Sequence, residues 1–417
     1  MTTITELSAT LQQLLGATAN ALAKQTGFIR RQRRVTGAGF AQTLVLGGLV
    51  EPEATRHQQQ QAAVQVGMPI SAQGLEQRFT PAAAAFMRAL LEVGLTQMVA
   101  SEEGPTLLPQ FNGVYVTDCT RLDWQAGGVK LGVRWELQHG QLQASLSELK
   151  QHDQKSAVIA QPLPAGALHL GDLGFFKLER FAQWNQQGVY WLSRFKVGTT
   201  VFSPEGAPLD LLELLQGSAG PVTMPVRVGV RQSLSAFLVA APIPEDAYHQ
   251  RLARLKEQAR LDQRPLSPRQ LAFARWTLYL TNIPDLTFDH AHLLARTRWQ
   301  IELLFKLWKS HGKLLTSRSA DPIRQLCEGY AKLLGVLVAH WLLLVSGWQH
   351  TTLGALDALR ILRSHVPLLM RAFVHPSLWP RLFRWLQQDL RLASPLSRRR
   401  KVPLAFQLWQ DFDLVLP

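Results

Sequence analysis

The chain has 417 residues, of which 47% are hydrophobic and 18% charged, and it carries 44 Lys and Arg residues against 30 Asp and Glu residues. This apolar content is enough for buried cores and excludes a disordered or collagen-like chain, while the length indicates two or three domains. The formal net charge of +14 favours a polyanionic partner, either nucleic acid or an anionic membrane surface, and a basic enzyme without such a partner is the alternative. Two cysteines, Cys119 and Cys327, exclude a disulfide framework and a Cys-rich zinc site.

Neither a signal peptide nor a membrane span is predicted. The first residues lack the basic start and the apolar core of a signal peptide. The most membrane-like run, residues 333–348, is too short for an ordinary span and contains His340, so we expect a buried helix there. The sequence therefore predicts a cytoplasmic protein.

Residues 1–105 have a helical pattern with few strand signals. A polar stretch, a break at residues 67–69 and a second helix capped by Ser71 together have the outline of a helix-turn-helix element. Any two helices joined by a Gly-containing turn give the same outline, so an ordinary helical pair is the alternative. The candidate groove-facing residues are Gln73, Glu76, Gln77 and Arg78. The basic cluster that precedes them consists of Arg30, Arg31, Arg33 and Arg34.

Strand signals begin after Pro105 and predict a mixed sheet of the α/β class. Residues 114–116, 129–137 and 142–149 read as strands, the last two as antiparallel neighbours. A strand at 167–170 precedes a helix at about 177–187, and another strand follows at 189–195.

The second half of the chain passes from turn-rich to helical sequence. Strand-like runs occur at 226–230, 236–241 and 276–280, and one long helix is predicted from His290 to Gly312. Helices are predicted from residue 320 to Leu396, before a basic tract at 398–401.

Two acids each follow an apolar strand, namely Asp118 and Asp172. Binding crevices form at strand ends in open sheets, so the two carboxylates are expected to converge. Two close carboxylates repel each other unless a cation lies between them, which favours a divalent metal site. The alternative is that each aspartate caps the next turn.

The predicted long helix carries a charged stripe. At about 100° per residue, its charged members project at roughly 0°, 40°, 80° and 20°. A solvated face with ordinary i,i+4 ion pairs is the alternative to a metal- and phosphate-binding stripe. The stripe consists of Arg298, Glu302, Lys306 and Lys309. The adjoining residues expected to attach the helix to the sheet are Ile301, Leu304, Phe305 and Trp308.

Segments 115–120, 171–176 and 298–309 together resemble the three acidic motifs of IS4-type (DDE) bacterial insertion-sequence transposases. The resemblance extends from about Phe111 to Lys309. The third segment is similar to the family signature Tyr-x2-Arg-x3-Glu-x6-Lys, with its Arg, Glu and Lys present and Ala295 in the place of the Tyr. Cys119 stands where Gly or Ser is more usual.

The resemblance implies an RNase H-like mixed-sheet catalytic core with a β-rich insertion, plus helical N-terminal and C-terminal regions. The implied divisions are a helical DNA-binding domain at 1–105, the first part of the core at 106–196, an insertion subdomain at 197–270, the second part of the core with the Glu-bearing helix at 271–320, and a helical region at 321–417. Residues 333–345 and 379–385 motivate a dimer of this last region, and completion of the chain's own core is the alternative.

The resemblance also implies a DNA transposase that binds terminal inverted repeats and performs two-metal-ion cleavage and strand transfer in the nucleoid of a bacterial cell. Asp118, Asp172 and Glu302 would hold two Mg²⁺ ions, with Mn²⁺ as the substitute. The implied partners are the double-stranded DNA of the element ends and target, and a second copy of the chain. Two alternatives remain at this point: a catalytically degenerate DNA-binding protein or repressor, which Ala295 favours, and an RNase H-like nuclease without strand transfer.

Phosphate and base contacts are implied as well. Arg298, Lys306 and Lys309 would bind DNA phosphates beside the cut. Trp276 resembles the family tryptophan on which a flipped base stacks. The implied role is chemically sensible, because an indole face binds bases without sequence preference. A core side chain at a strand start is the alternative for Trp276.

Overall fold

A computed structural model describes residues 1–31, 34–102, 104–105, 107–125, 127–218, 220–350, 353–393 and 409. Arg33 of the basic cluster and the basic tract at 398–401 lie outside these residues.

Helices occupy both ends of the described chain and alternate with strands in the middle. The α-helices are α1 Ile4–Gln12, α2 Ala19–Gln25, α3 Gly37–Val50, α4 Arg56–Gln65, α5 Ala72–Glu76, α6 Pro81–Leu95, α7 Ala157–Ala160, α8 Leu178–Gln186, α9 Leu211–Gln216, α10 Glu245–Leu261, α11 Pro268–Phe273, α12 Phe288–Thr297, α13 Trp299–His311, α14 Pro322–Gly347, α15 Ala355–Val374 and α16 Trp379–Leu392. The strands are β1 Val114–Trp124, β2 Gly127–Glu136, β3 Leu142–Ser147, β4 Leu168–Gly171, β5 Tyr190–Arg194, β6 Val201–Phe202, β7 Val222–Val228, β8 Leu234–Pro242 and β9 Trp276–Thr281.

These strands form a nine-stranded mixed sheet in the order β3-β2-β1-β4-β5-β9-β8-β7-β6. The first three are antiparallel neighbours, and β4 and β5 then add in parallel beside β1. An antiparallel meander followed by parallel strands, with helices before and after it, is the RNase H-like α/β fold, so the prediction of fold class is confirmed. β6, β7 and β8, which lie between β5 and β9 in the chain, extend this sheet because β8 pairs with β9. No second sheet forms in the described residues.

The two faces of the sheet lie in different cores because side chains alternate along a strand. Val116, Leu170 and Leu192 point into the main hydrophobic cluster together with residues of α12, α13 and α14. Trp191 and Leu280 point to the opposite face, into a second cluster that includes Phe181 of α8. Whatever lies on the first face therefore faces the helices that carry Arg298 and Glu302.

The helix α14 is the central helix of the end regions. It begins at Pro322, where the Asp321 carboxylate caps it by accepting a hydrogen bond from the amide of Ile323 at 2.9 Å. It runs for 26 residues, so the expectation that this segment is too short to span a membrane was wrong. However, 83% of its most apolar window is buried within the protein, and the expectation of a buried helix is confirmed.

The N-terminal and C-terminal helices share one core, since α14 packs against α3, α6, α15 and α16. Residues 333–345 thus contribute mainly to the chain's own packing and do not form a free dimer surface. Trp379 is buried as well, whereas Trp385 is 38% exposed. The alternative interpretation of these segments is the one that the structure supports.

The helix-turn-helix outline is altered in two respects. Ser71 caps α5 as predicted, accepting a hydrogen bond from the amide of Gly74 at 3.1 Å, but α5 has only 5 residues. Glu76 forms ion pairs with Arg56 and Arg324. Its carboxylate is therefore occupied by the protein, and Glu76 is not a free groove-facing residue as we had expected.

Candidate active site

Asp118 lies inside β1, not after its end as the sequence had indicated. The strand continues to Trp124 because it remains paired with β2 over its whole length beyond this point. The neighbouring strand β4 ends earlier, with Gly171 opposite Thr117. Asp118 is therefore the first residue of β1 on the side from which β4 has departed, and this leaves its side chain 19% exposed.

Asp172 follows β4 directly and is brought beside Asp118 by the register of the two strands. Since Thr117 is opposite Gly171, the residues that follow these two in the chain, Asp118 and Asp172, are neighbours. Beneath them, the Thr117 hydroxyl and His169 Nε2 are hydrogen bonded at 3.0 Å, which connects the two strands on the opposite face. Among the described residues, the Asp172 side chain forms no ion pair.

Glu302 approaches from α13, in the first turn of that helix. The predicted single helix is divided by a turn at Arg298, where α12 ends and α13 begins. Its attachment to the sheet is as predicted, because the four apolar residues next to the charged stripe are all buried. These are Ile301, Leu304, Phe305 and Trp308.

Arg298 lies between two of the acids. Its Nη1 is 3.3 Å from Asp118 Oδ2, and its Nη2 forms an ion pair with Glu302. Burial raises the pKa of Asp118 to about 6, although the Cys119 amide and the Arg298 guanidinium act against this shift, and the charges of Asp172 and Glu302 raise it further. The three predicted acids are thus brought within electrostatic reach of one another at one edge of the sheet.

The chemistry of this donor set is compatible with a divalent cation. Carboxylate oxygens are the ligands that Mg²⁺ and Mn²⁺ prefer. Within the part of the chain that the structure describes, no three His, Cys, Asp or Glu side chains are close enough to hold one ion as they stand. A positive group is nevertheless already shared by Asp118 and Glu302, namely the guanidinium of Arg298.

The two lysines of the stripe have different surroundings. Lys306 is exposed one turn beyond Glu302. Lys309 is partly buried, and this burial lowers its pKa, while the charge of Asp123 acts in the opposite direction. Lys306 is therefore the more accessible cation of the pair.

Trp276 is buried, with 9% of its surface exposed, in the second hydrophobic cluster. As the structure stands, its indole face is not accessible to a base, so a core side chain is the interpretation that the structure favours, and the stacking role stays a prediction. Another indole lies at the site: Trp299, next to Arg298, is 58% exposed. Sequence reasoning missed Trp299 because helical periodicity alone does not tell which aromatic residue lacks a covering element.

Arg194 is a second residue that sequence reasoning missed. Leu170 of β4 and Leu192 of β5 are the last pair of these strands, and continuing their register by two residues brings Arg194 level with Asp172. The signal was a basic residue at the end of a parallel strand, but its relation to Asp172 depends on strand order and register, which the sequence does not specify.

Comparison with known proteins identifies similar sequences. The family described as the transposase DDE domain matches residues 126–337, a segment that contains Asp172 and Glu302 and begins eight residues after Asp118. The transposase for insertion sequence element IS231F of Bacillus thuringiensis subsp. israelensis is 24% identical over 91% of this chain and 90% of its own length. The transposase for IS231B of Bacillus thuringiensis subsp. berliner is 22% identical over the same shares.

A shorter similarity and one solved structure complete the comparison. The transposase for IS1151 of Clostridium perfringens is 26% identical over 43% of this chain and 42% of its own length. A structure of the piggyBac transposase synaptic complex with hairpin DNA aligns with a TM-score of 0.46 at 8% identity, covering 97% of this chain and 87% of that one.

Proposed function

The chain belongs to the transposase DDE domain family, and we propose that it is the transposase of an insertion sequence, which binds terminal inverted repeats, cleaves DNA at them and joins the freed end to a target. The observation that supports the proposal is that Asp118, Asp172 and Glu302 lie within electrostatic reach of one another near the edge where β4 ends. These acids come from two strands and a helix, and in the sequence they lie within three separate motifs. A protein that only bound DNA would gain nothing from three carboxylates facing phosphate.

We propose that Asp118, Asp172 and Glu302 hold two Mg²⁺ ions, for which Mn²⁺ can substitute. Bound in this way, such ions supply an activated oxygen nucleophile and stabilise the charge on the leaving oxygen of a phosphodiester. The guanidinium of Arg298 pairs with both Asp118 and Glu302. This guanidinium, once released from these carboxylates, is placed to bind a phosphate oxygen beside the cut.

The remaining cations of α13 extend the same surface. Lys306 is exposed one helical turn from Glu302, and Lys309 lies further along. Both would bind phosphates next to the scissile position. Two ends of one element must be processed together, so we propose that a homodimer acts on double-stranded DNA at element ends and target. This activity belongs in the bacterial cytoplasm, at the nucleoid.

A catalytically degenerate DNA-binding protein is the second candidate, and one residue favours it. Ala295, in place of the family tyrosine, packs partly buried against the main core. A methyl group offers no hydroxyl to a phosphate, so one potential contact is missing. The intact acids favour the enzyme.

The deciding experiment is cleavage of a duplex that carries the inverted repeats flanking the gene, in Mg²⁺ or Mn²⁺. Asp118→Asn, Asp172→Asn and Glu302→Gln are each expected to slow cutting by on the order of a thousandfold while DNA binding persists. Asp357→Asn is the matched control, because this exposed aspartate of α15 forms its single ion pair within the described residues with Arg360.

Any other result would change either the proposed function or the proposed metal ligands. Binding without cutting in either metal would support the degenerate DNA-binding protein, with Ala295→Tyr as the next variant. Cutting without joining to a target would support the nuclease. Cutting that survives the loss of one acid would show that this acid is not a metal ligand.

A further inference from the structure

A row of polar side chains crosses four adjacent strands on the face covered by α12 and α13. Residues in register on neighbouring strands point to the same side of a sheet. The pairings Thr117–Gly171, Leu170–Leu192 and Arg194–Tyr279 connect β1, β4, β5 and β9. Continuing the first two registers past the end of β4 gives the row Asp118, Asp172, Arg194 and Tyr279.

The second half of this row is surrounded by basic side chains. The Tyr279 hydroxyl is hydrogen bonded to Nδ1 of His292 on α12 at 2.9 Å, and Arg296 lies one turn further along that helix. Arg251 of α10 adds another guanidinium, which donates hydrogen bonds to the Thr277 hydroxyl at 2.9 Å and to the Trp276 carbonyl at 2.6 Å, both on β9.

Among the described residues, these guanidinium groups have no carboxylate as an ion-pair partner. Within the described residues, Arg194, Arg251 and Arg296 form no ion pair with any Asp or Glu side chain, although the charge of Arg194 acts on both Arg251 and His292. Burial and the charges of Arg296 and Arg194 lower the pKa of His292, and Asp289 opposes this only in part. Like charges held together without a counter-ion are unfavourable, so such a cluster is suited to receive an anion.

We propose that Arg194, Arg251 and Arg296, the arginine site, bind a phosphodiester group of the DNA strand whose scissile phosphate lies at the acids. This inference rests on the proposed function, because the acids define where that phosphate is. Neighbouring strands are about 4.8 Å apart, so the site begins about one strand spacing from Asp172. That is the scale of one or two nucleotides along a DNA strand.

The two halves of the row differ in charge. The acids near β1 and β4 need divalent cations before a phosphate can lie against them, whereas the cations of β5 and α12, which have no carboxylate ion-pair partner among the described residues, can bind a phosphate directly.

The test measures DNA binding by the full chain in EDTA, so that it does not depend on cleavage. The probe is a fluorescent duplex that ends at the terminal repeat, followed by anisotropy over a range of salt concentrations. Arg194→Gln and Arg296→Gln are each expected to weaken binding roughly tenfold and to reduce the slope of log K against log salt by about one. The matched control is Arg360→Gln, an exposed arginine on α15.

A second arm locates the contact on the DNA. Single phosphates near the end are replaced in turn by neutral methylphosphonates. One such replacement is expected to weaken binding by the wild-type chain about tenfold and to have no further effect on Arg194→Gln. Arg194→Lys, which keeps the charge, is expected to restore most of the salt slope.

The outcomes separate this inference from the proposed function. Variants that bind like Arg360→Gln, with cleavage intact, would overturn the arginine site alone. Arginine-dependent binding without cleavage would overturn the proposed catalysis and leave the arginine site standing. Both arginines tested are exposed, so thermal unfolding like that of the wild type is expected and serves as the check on folding.

Discussion

Two regions of this molecule bring acidic and basic side chains together, and they differ in whether those charges are paired within the protein. At the start of α14, Arg324 uses all of its guanidinium nitrogens: Nε donates to Glu328 at 2.8 Å, Nη2 to Gln59 at 2.9 Å, and Nη1 pairs with Glu76. The Ser317 hydroxyl donates to the other oxygen of Glu328 at 2.6 Å. We call this group the closed network.

The candidate active site lacks this balance. Arg298 forms ion pairs with Asp118 and Glu302. Asp172 has no ion-pair partner in the described chain. On the next strand Arg194 has none either. Arg56 also pairs with Glu76, so the charges of the closed network are balanced within the protein itself. The candidate active site instead keeps its acids and cations apart, which leaves them able to bind a ligand.

Structural and functional charges can be distinguished by how completely the protein itself satisfies them. A buried network is favourable only when every member is satisfied, so its loss shows in stability. An unsatisfied group of charges reduces stability and persists because a ligand completes it. Substitutions in the two regions are therefore expected to have opposite effects on unfolding.

Arg324→Met has the largest effect that we expect on stability. It leaves the carboxylates of Glu328 and Glu76 without their main partner, and removing one member of a buried pair costs about 3–5 kcal/mol of unfolding free energy. The measurement is urea unfolding followed by tryptophan fluorescence. Arg360→Met, which removes an exposed pair with Asp357, is expected to cost less than about 1 kcal/mol.

Equal losses of unfolding free energy for Arg324→Met and Arg360→Met would contradict the contrast between the closed network and the candidate active site. The closed network would then be no more important than a surface ion pair, and burial would not distinguish the two regions. A double variant, Arg324→Met with Glu328→Met, sharpens the result, because replacing both partners is expected to recover part of the loss.

Trp299→Ala is expected to have the next largest effect, on DNA binding. Trp299 is 58% exposed and Leu303, one turn on, is 47% exposed, so the open region also presents an apolar surface beside Glu302. Stacking of a base on an indole contributes about 1–3 kcal/mol. The substitution is expected to weaken binding of a duplex with a short single-stranded end, measured by anisotropy in EDTA.

The matched control is the buried indole. Trp276→Phe preserves packing in the second cluster and is expected to leave the affinity unchanged. A loss for Trp276→Phe with none for Trp299→Ala would show that the strand rearranges on DNA to expose Trp276, and would restore the role predicted for it from sequence.

What the sequence predicted, and what it did not, follows the same division. Periodicity identified the buried residues of α13, such as Ile301 and Trp308, because amphipathic packing is a local property of a helix. Motifs predicted Asp118, Asp172 and Glu302 as the acids of the candidate site. The position of Asp118 within a continuing strand and the place of Arg194 beside Asp172 depend on which strands pair and where each pairing stops, and this is set by contacts between distant segments.

Asp118→Asn is expected to change the unfolding free energy less than Arg324→Met and in the opposite direction. It therefore tests directly the contrast between the closed network and the candidate active site. Burial raises the pKa of Asp118 to about 6 in the folded chain, so its ionised form is disfavoured there relative to the unfolded chain. At pH 8 the carboxylate is ionised in both states and the full cost is present, and an amide of the same shape is expected to raise the unfolding free energy in EDTA by about 1–2 kcal/mol. As the pH falls through 6 towards 4 the folded carboxylate takes up its proton, and the gain is expected to disappear.

Asp123→Asn on the same strand, where the carboxylate is half exposed beside Arg121, is expected to change stability by no more than about 0.5 kcal/mol at either pH. If Asp118→Asn instead destabilised the chain at pH 8 as Arg324→Met does, the acids would be part of a satisfied structural network, and the distinction between the two regions would fail.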